Sequence, residues 1–163
     1  MLKSIIVMGV SGCGKSTLGK KFADFLNLPF VEGDQFHSQA NIEKMKNGIP
    51  LNDSDRAPWL FALNKNLIAK KNTGSVLACS ALKQSYRDIL SQGFSPDQLL
   101  WIYLDCDIKT LRKRIEKRAH FMPISLLESQ IEALEVPNEA IQLDASSEIN
   151  ELIAQLKLYF HEK

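Results

Sequence analysis

Residues Gly9 to Ser16, GVSGCGKS, place three glycines, a lysine and a hydroxyl at the spacing G-x-x-x-x-G-K-[ST]. Glycines at these positions let the backbone curl until successive N–H groups point inward. A helix opening near Lys15 adds its positive dipole end to the same spot. This suits the binding of a polyphosphate, with Lys15 reaching the β- and γ-phosphates of a nucleotide and the Ser16 hydroxyl ligating Mg²⁺. Gly9, Ser11, Gly12, Cys13, Gly14, Lys15, Ser16 and Thr17 are the expected nucleotide-binding residues, Cys13 as a small side chain that fits the loop.

For the motif to work it must follow a strand and open a helix, and the surrounding pattern provides both. Apolar runs of strand length recur at 4–9, 29–34, 75–80, 99–105 and 140–146, continuous rather than alternating, as in strands buried on both faces. Helix-length segments fall at 15–27, in two pieces within 39–71, and at 83–92, 107–118, 123–135 and 147–161, with Gly48 placed to end the first of the two pieces. The alternation predicts an α/β P-loop sandwich: five parallel strands flanked by helices, with the ligand at their carboxyl edge. A guanine-reading N-K-x-D is missing, since NKNL at 64–67 lacks the aspartate, so a small-molecule kinase is the leading class.

The acceptor half begins where the second strand ends in VEGD. Phosphoryl transfer needs a group that orients the attacking hydroxyl and takes its proton late, and Asp34 at the carboxyl edge is the candidate base. It also suits an N-cap. Glu32 stands on the same strand face, either approaching Mg²⁺ through water or simply solvated, and His37 is placed to hydrogen-bond a polyol or to sit half-buried in its loop. Downstream, PLNDSDRAPWL at 50–60 combines a helix start with a polar wall. Asn52 and Asp53 can cap, Pro58 is tolerable near the first turn, and Trp59 is expected to bury against the sheet. Arg56 offers a planar fork for a carboxylate, while Asp53 or Asp55 can accept from hydroxyls or brace that arginine. After the third strand, CSALKQSYRD puts Ser80 at the carboxyl edge, with Lys83 and Arg87 four apart on one helix face and able to look into the cleft. Arg87 pairing with Asp88 or with Glu residues elsewhere is the competing reading, and Tyr86 is expected to pack.

The strings GDQFHSQANIEKMKNGIPLNDSDRAPWL, CSALKQSYRDIL, IYL and HFMPISLLESQIEALEVP resemble those of the gluconokinase family, over a span reaching from the first strand to about residue 137. The resemblance implies MgATP and D-gluconate as substrates, 6-phospho-D-gluconate and ADP as products, a closing lid and often a homodimer. It implies that the Ser80–Arg87 segment lines the acceptor pocket and that adenine rests by DASSE at 144–148.

The lid is expected at about 112–128, following a helix with six Lys or Arg between 109 and 118. A transition state that spreads negative charge favours a closing arginine. Arg118 is expected on the phosphates, and Arg114 on adenine or phosphate. Only Ala119 separates Arg118 from His120, one residue fewer than is usual in the family.

Bulk properties are consistent with this. A chain of 163 residues suits one domain covering 1–163, and 45% hydrophobic and 24% charged residues with net charge +1 argue against a general polyanion surface, so nucleic acid is not an expected partner. Three separated cysteines suggest neither a disulfide framework nor a zinc site and fit a reducing cytoplasm. The N-terminal apolar run is too short to span a bilayer and reads as a first strand, so no membrane partner is expected.

Overall fold

The structure is a computed structural model describing residues 4–117 and 123–161. Five parallel strands, β1 (Ser4–Met8), β2 (Phe30–Glu32), β3 (Ser75–Ala78), β4 (Leu99–Asp105) and β5 (Ile141–Asp144), form one sheet in the order β2-β3-β1-β4-β5. The central strands explain the unbroken apolar runs, because every residue of β1 and β3 is buried. Seven α-helices are present among the described residues: α1 (Lys15–Leu26), α2 (Gln39–Lys46), α3 (Asp53–Ala69), α4 (Gln84–Ser91), α5 (Ile108–Glu116), α6 (Ile124–Ala133) and α7 (Ile149–His161). Helix α1 packs against α7 and the sheet, and α3 packs against α4. Phe22, Leu18, Leu60, Leu63, Ile6 and Leu77 are among the side chains fully buried between these elements. Among the described residues no helix is long and apolar enough to cross a membrane.

Local chemistry accounts for the boundaries. Gly48 takes φ +71 just past α2, and the Ile49 N–H reaches back to the Lys44 carbonyl at 2.9 Å, so the glycine ends the helix as its sequence position predicts. Helix α3 opens on a capping box: the Asn52 side chain accepts from the Asp55 N–H at 2.8 Å, and the Asp55 carboxylate accepts from the Asn52 N–H at 3.0 Å. Pro58 lies deeper than its expected place, inside α3 rather than in the first turn.

Four strands stop short of their predicted carboxyl ends, β1 by a single residue at Met8. Residues 33–36 leave β2 as a 3₁₀ turn, β3 ends at Ala78 and β5 at Asp144. The residues beyond β2 and β3 build the site.

Candidate functional site

The phosphate loop leaves β1 at the centre of the sheet. Gly9, Gly12 and Gly14 have φ of +146, +83 and +99, and a Cβ on Gly9 would meet Cys13 Sγ and the Leu104 carbonyl at 2.8 Å. No larger residue fits there without displacing backbone. Gly14 caps α1 without a side-chain hydrogen bond, so the first N–H groups of the helix are available to an anion. Lys15 Nζ donates to the Val10 carbonyl at 3.0 Å, folded over its own loop, and the Gly9 N–H donates to the Ser80 carbonyl at 3.3 Å, tying the loop to the end of β3. Cys13 is buried in the core, as expected of a small loop residue.

The Ser16 hydroxyl donates to the Glu32 carboxylate, placing two hard oxygen donors side by side at the mouth of the loop. Among the described residues no three His, Cys, Asp or Glu cluster as a metal cage. A pair of oxygens fits an ion such as Mg²⁺, which keeps waters and takes phosphate oxygens as its remaining ligands.

Beside the loop is a pocket of about 280 Å³ lined by Gly14, Thr17, Arg114, Ser146 and Leu152 among others. Arg114 spans it, donating to the carbonyls of Cys13 at 3.2 Å and Ala145 at 2.5 Å. Asp144 accepts from the N–H and hydroxyl of Ser146, which shapes the far wall. The expected base-binding segment 144–148 and Arg114 therefore meet. Arg118 and the stretch to residue 122 lie outside the described residues.

On the other side, Asp34 is exposed in the 3₁₀ turn Gly33–Phe36. A Cβ on Gly33 would run into the Ala78 carbonyl, so this glycine permits the close approach that sets the turn. Trp59 is buried as predicted and also holds the turn, donating from Nε1 to the Gly33 carbonyl at 2.8 Å. His37 stacks on the Trp59 ring with centroids 4.2 Å apart, and Asn41 Nδ2 lies 3.4 Å from its Nδ1. Burial lowers the His37 pKa from its usual 6.5; Arg56 adds to the drop and Asp34 opposes it. Burial likewise pushes the Cys79 thiol up to about 12, and Asp34, Lys15 and Arg56 all act on it. All three charges are thus felt at the end of β3.

A pH dependence follows from His37. The unfolded chain takes up its proton near 6.5 and the folded chain only at lower pH, so stability is lost as pH falls below 6.5 and on through the depressed folded value. The Tm of His37→Gln, compared with wild type between about pH 7.5 and about pH 5.5, should therefore decline less. Parallel curves would show that His37 does not titrate differently on folding.

The polar wall comes from α3 and α4. Asp55 is committed to Lys44, at 2.8 and 2.9 Å, and to its cap. Asp53 is the carboxylate turned to the wall: it accepts from Lys83 Nζ at 3.0 Å and from the Tyr86 hydroxyl. Arg56 Nη1 donates to that same hydroxyl at 3.1 Å, and among the described residues no carboxylate forms an ion pair with Arg56.

Arg87 requires a correction. It does not share the cleft with Lys83, nor is it hydrogen-bonded to Asp88; of the alternatives, it is a glutamate elsewhere, Glu135, that it meets, through the backbone carbonyl. Only 4% exposed, it donates to the carbonyls of Ala81, Leu82 and Glu135 at 2.8, 3.1 and 2.9 Å and to Gln84 Oε1. A buried guanidinium needs all its N–H groups satisfied, and these carbonyls provide for that. The same-face expectation fails because Lys83 is the extended N-cap of α4, outside the helix. The clamp is completed by the Glu135 N–H on the Leu82 carbonyl and the Gln84 N–H on the Glu135 carboxylate, both at 2.8 Å.

Two site residues escaped the sequence reading. Tyr86 is buried as expected yet bonds both Asp53 and Arg56. Gln130 of α6 accepts from the Ser11 N–H at 2.8 Å and donates to its hydroxyl at 3.1 Å, across 119 residues with no local signal.

A phosphate loop on the central strand of a parallel sheet ordered β2-β3-β1-β4-β5, facing a second polar wall across its carboxyl edge, places the molecule among the P-loop kinases. A family model described as shikimate kinase matches residues 11–142, and the thermosensitive gluconokinase of Escherichia coli K12 is 46% identical over 157 residues, spanning 94% of this chain and 83% of that protein. The chain belongs to the gluconokinase family, within the shikimate-kinase-like P-loop kinases. The fold agrees: a crystal structure of a gluconokinase from Sinorhizobium meliloti superposes with a TM-score of 0.85 at 41% identity, covering 99% of this chain and 98% of that one. An unliganded sugar kinase from Janibacter superposes with a TM-score of 0.90 at 40% identity, covering 99% and 95%.

Proposed function

We infer that the chain is an ATP-dependent gluconokinase, transferring the γ-phosphoryl group of ATP to D-gluconate to give ADP and 6-phospho-D-gluconate. The observation that carries this beyond family membership is Arg56, a cation without an ion-paired carboxylate among the described residues, on a wall of hydrogen-bonding groups, which suits an acid-terminated polyol. Lys15 and the N–H groups opening α1 hold the phosphates. Ser16, with Glu32 behind it, holds Mg²⁺, whose contribution when bound is to neutralise charge on the phosphate oxygens. Asp34 orients the acceptor hydroxyl and accepts its proton as the new O–P bond forms and the bond to ADP breaks. Arg56 takes the substrate carboxylate, and neutral His37, Ser80 and Lys83 address the hydroxyls. Arg114 borders the base, and Arg118, in a lid over about 112–128, is assigned to the transferring phosphoryl group. The enzyme acts in the cytoplasm, as a homodimer.

The test is a coupled assay of ADP release from MgATP with D-gluconate, gluconolactone, shikimate, glucose and AMP offered separately. Release with gluconate alone is expected. Turnover of shikimate at comparable kcat/KM, or none with gluconate, would overturn the reading.

A further inference from the structure

Arg56 and Asp53 are three residues apart on α3, the spacing at which opposite charges on a helix ordinarily pair. Here they do not pair. The Tyr86 hydroxyl is interposed, donating to Asp53 and accepting from Arg56 Nη1 at 3.1 Å, while Lys83 Nζ meets the same Asp53 oxygen at 3.0 Å. The ring itself lies beneath both cations, with its centroid 5.4 Å from Arg56 Cζ and 5.6 Å from Lys83 Nζ. At 3% exposure the ring is fixed by packing, which makes its hydroxyl a rigid spacer between two charged side chains that are less buried than it is. Asp53 is thereby spent on Lys83, and the fork of Arg56 is kept from its own helix neighbour.

We propose that Tyr86 is a positioning and specificity residue: by holding Asp53 on Lys83 it prevents Arg56 from being neutralised within α3, and so keeps a guanidinium ready for the carboxylate of an acid acceptor. This rests on the assignment of Arg56 to the acceptor carboxylate. Without the hydroxyl, Asp53 swings to Arg56 and competes with the substrate for it. The carboxylate that helps order the wall then becomes an internal inhibitor of acid binding. The device selects acid-terminated acceptors over neutral polyols of the same length.

Tyr86→Phe keeps the ring and removes only the spacer. The expected result is a rise of about tenfold in KM for D-gluconate, the scale of one hydrogen bond to a charged group, with kcat and KM for ATP within about twofold of wild type. Adding Asp53→Asn to Tyr86→Phe should recover most of that loss, because the competing carboxylate is gone. A packing role alone predicts no such recovery. An unchanged KM in Tyr86→Phe, or a double variant worse than the single one, would overturn the proposal. Arg56→Ala measured alongside separates the two failures: if it raises the gluconate KM while Tyr86→Phe does not, the positioning role falls and the acceptor assignment stands. If it leaves KM unchanged, the assignment itself falls.

Discussion

Replacing Asp34 with asparagine is expected to lower kcat about 10²- to 10⁴-fold while KM for ATP stays within about threefold of wild type. The asymmetry follows from where the residue sits. Asp34 is carried by a turn beyond β2, and β3 lies between β2 and the strand that carries the phosphate loop, so the carboxylate can serve the acceptor without touching the nucleotide's own cradle. The turn does not depend on the carboxylate, since Gly33 packs against β3, Trp59 bonds the Gly33 carbonyl and the His37 N–H donates to the backbone carbonyl of Asp34. The amide variant should therefore fold and bind ATP while lacking a group to take the hydroxyl's proton. Steady-state kinetics with isothermal titration of ATP would decide it. Equal losses in turnover and ATP affinity would make Asp34 part of the nucleotide site instead.

Arg56→Ala should raise KM for D-gluconate about 10- to 100-fold, corresponding to about 1.5 to 3 kcal/mol for hydrogen bonds to a charged group, with a smaller change in kcat. Lysine at the same position should restore only part of the affinity, because a point charge cannot reproduce the two parallel N–H donors of the fork. The residue is half-buried and is held by one phenolic oxygen, so truncation leaves no buried carboxylate unpaired. The loss can then be read as substrate binding rather than as damage to the wall. An unchanged KM would transfer carboxylate recognition to Lys83, the other cation on that wall.

How much of this was legible in the sequence depended on how far apart the cooperating residues lie along the chain. The phosphate loop is contiguous, and its helix dipole, glycines and lysine are all set by spacing within one turn. Asp34 and Arg56 could be nominated because each sits just past a predicted strand or at a helix start, positions that an α/β sheet places towards its carboxyl edge. The Tyr86 network was not, since its bonds to Arg56 and Asp53 span 30 and 33 residues and require α3 and α4 to be packed together first. Arg87 was misplaced by a single local detail, the extended backbone of Lys83, which moves the lysine off the helix face that a four-residue spacing implies. Strand ends were overestimated for a similar reason: residues 33–34 are compatible with an extended chain, and only the approach of Gly33 to β3 turns them aside.

The clamp around Arg87 fixes one end of a lever. Residues 82–87 grip position 135, just past α6, through several hydrogen bonds, while Gln130 within that helix touches the phosphate loop and Ile124 opens it. At 1.5 Å per residue, Gln130 stands ~7 Å from the fixed end and Ile124 ~17 Å. A rotation of ~10° about the clamp would move the far end by ~3 Å but Gln130 by only ~1 Å. Any displacement of the amino end of α6 would thus reach the phosphate loop geared down to about the size of a hydrogen bond's tolerance.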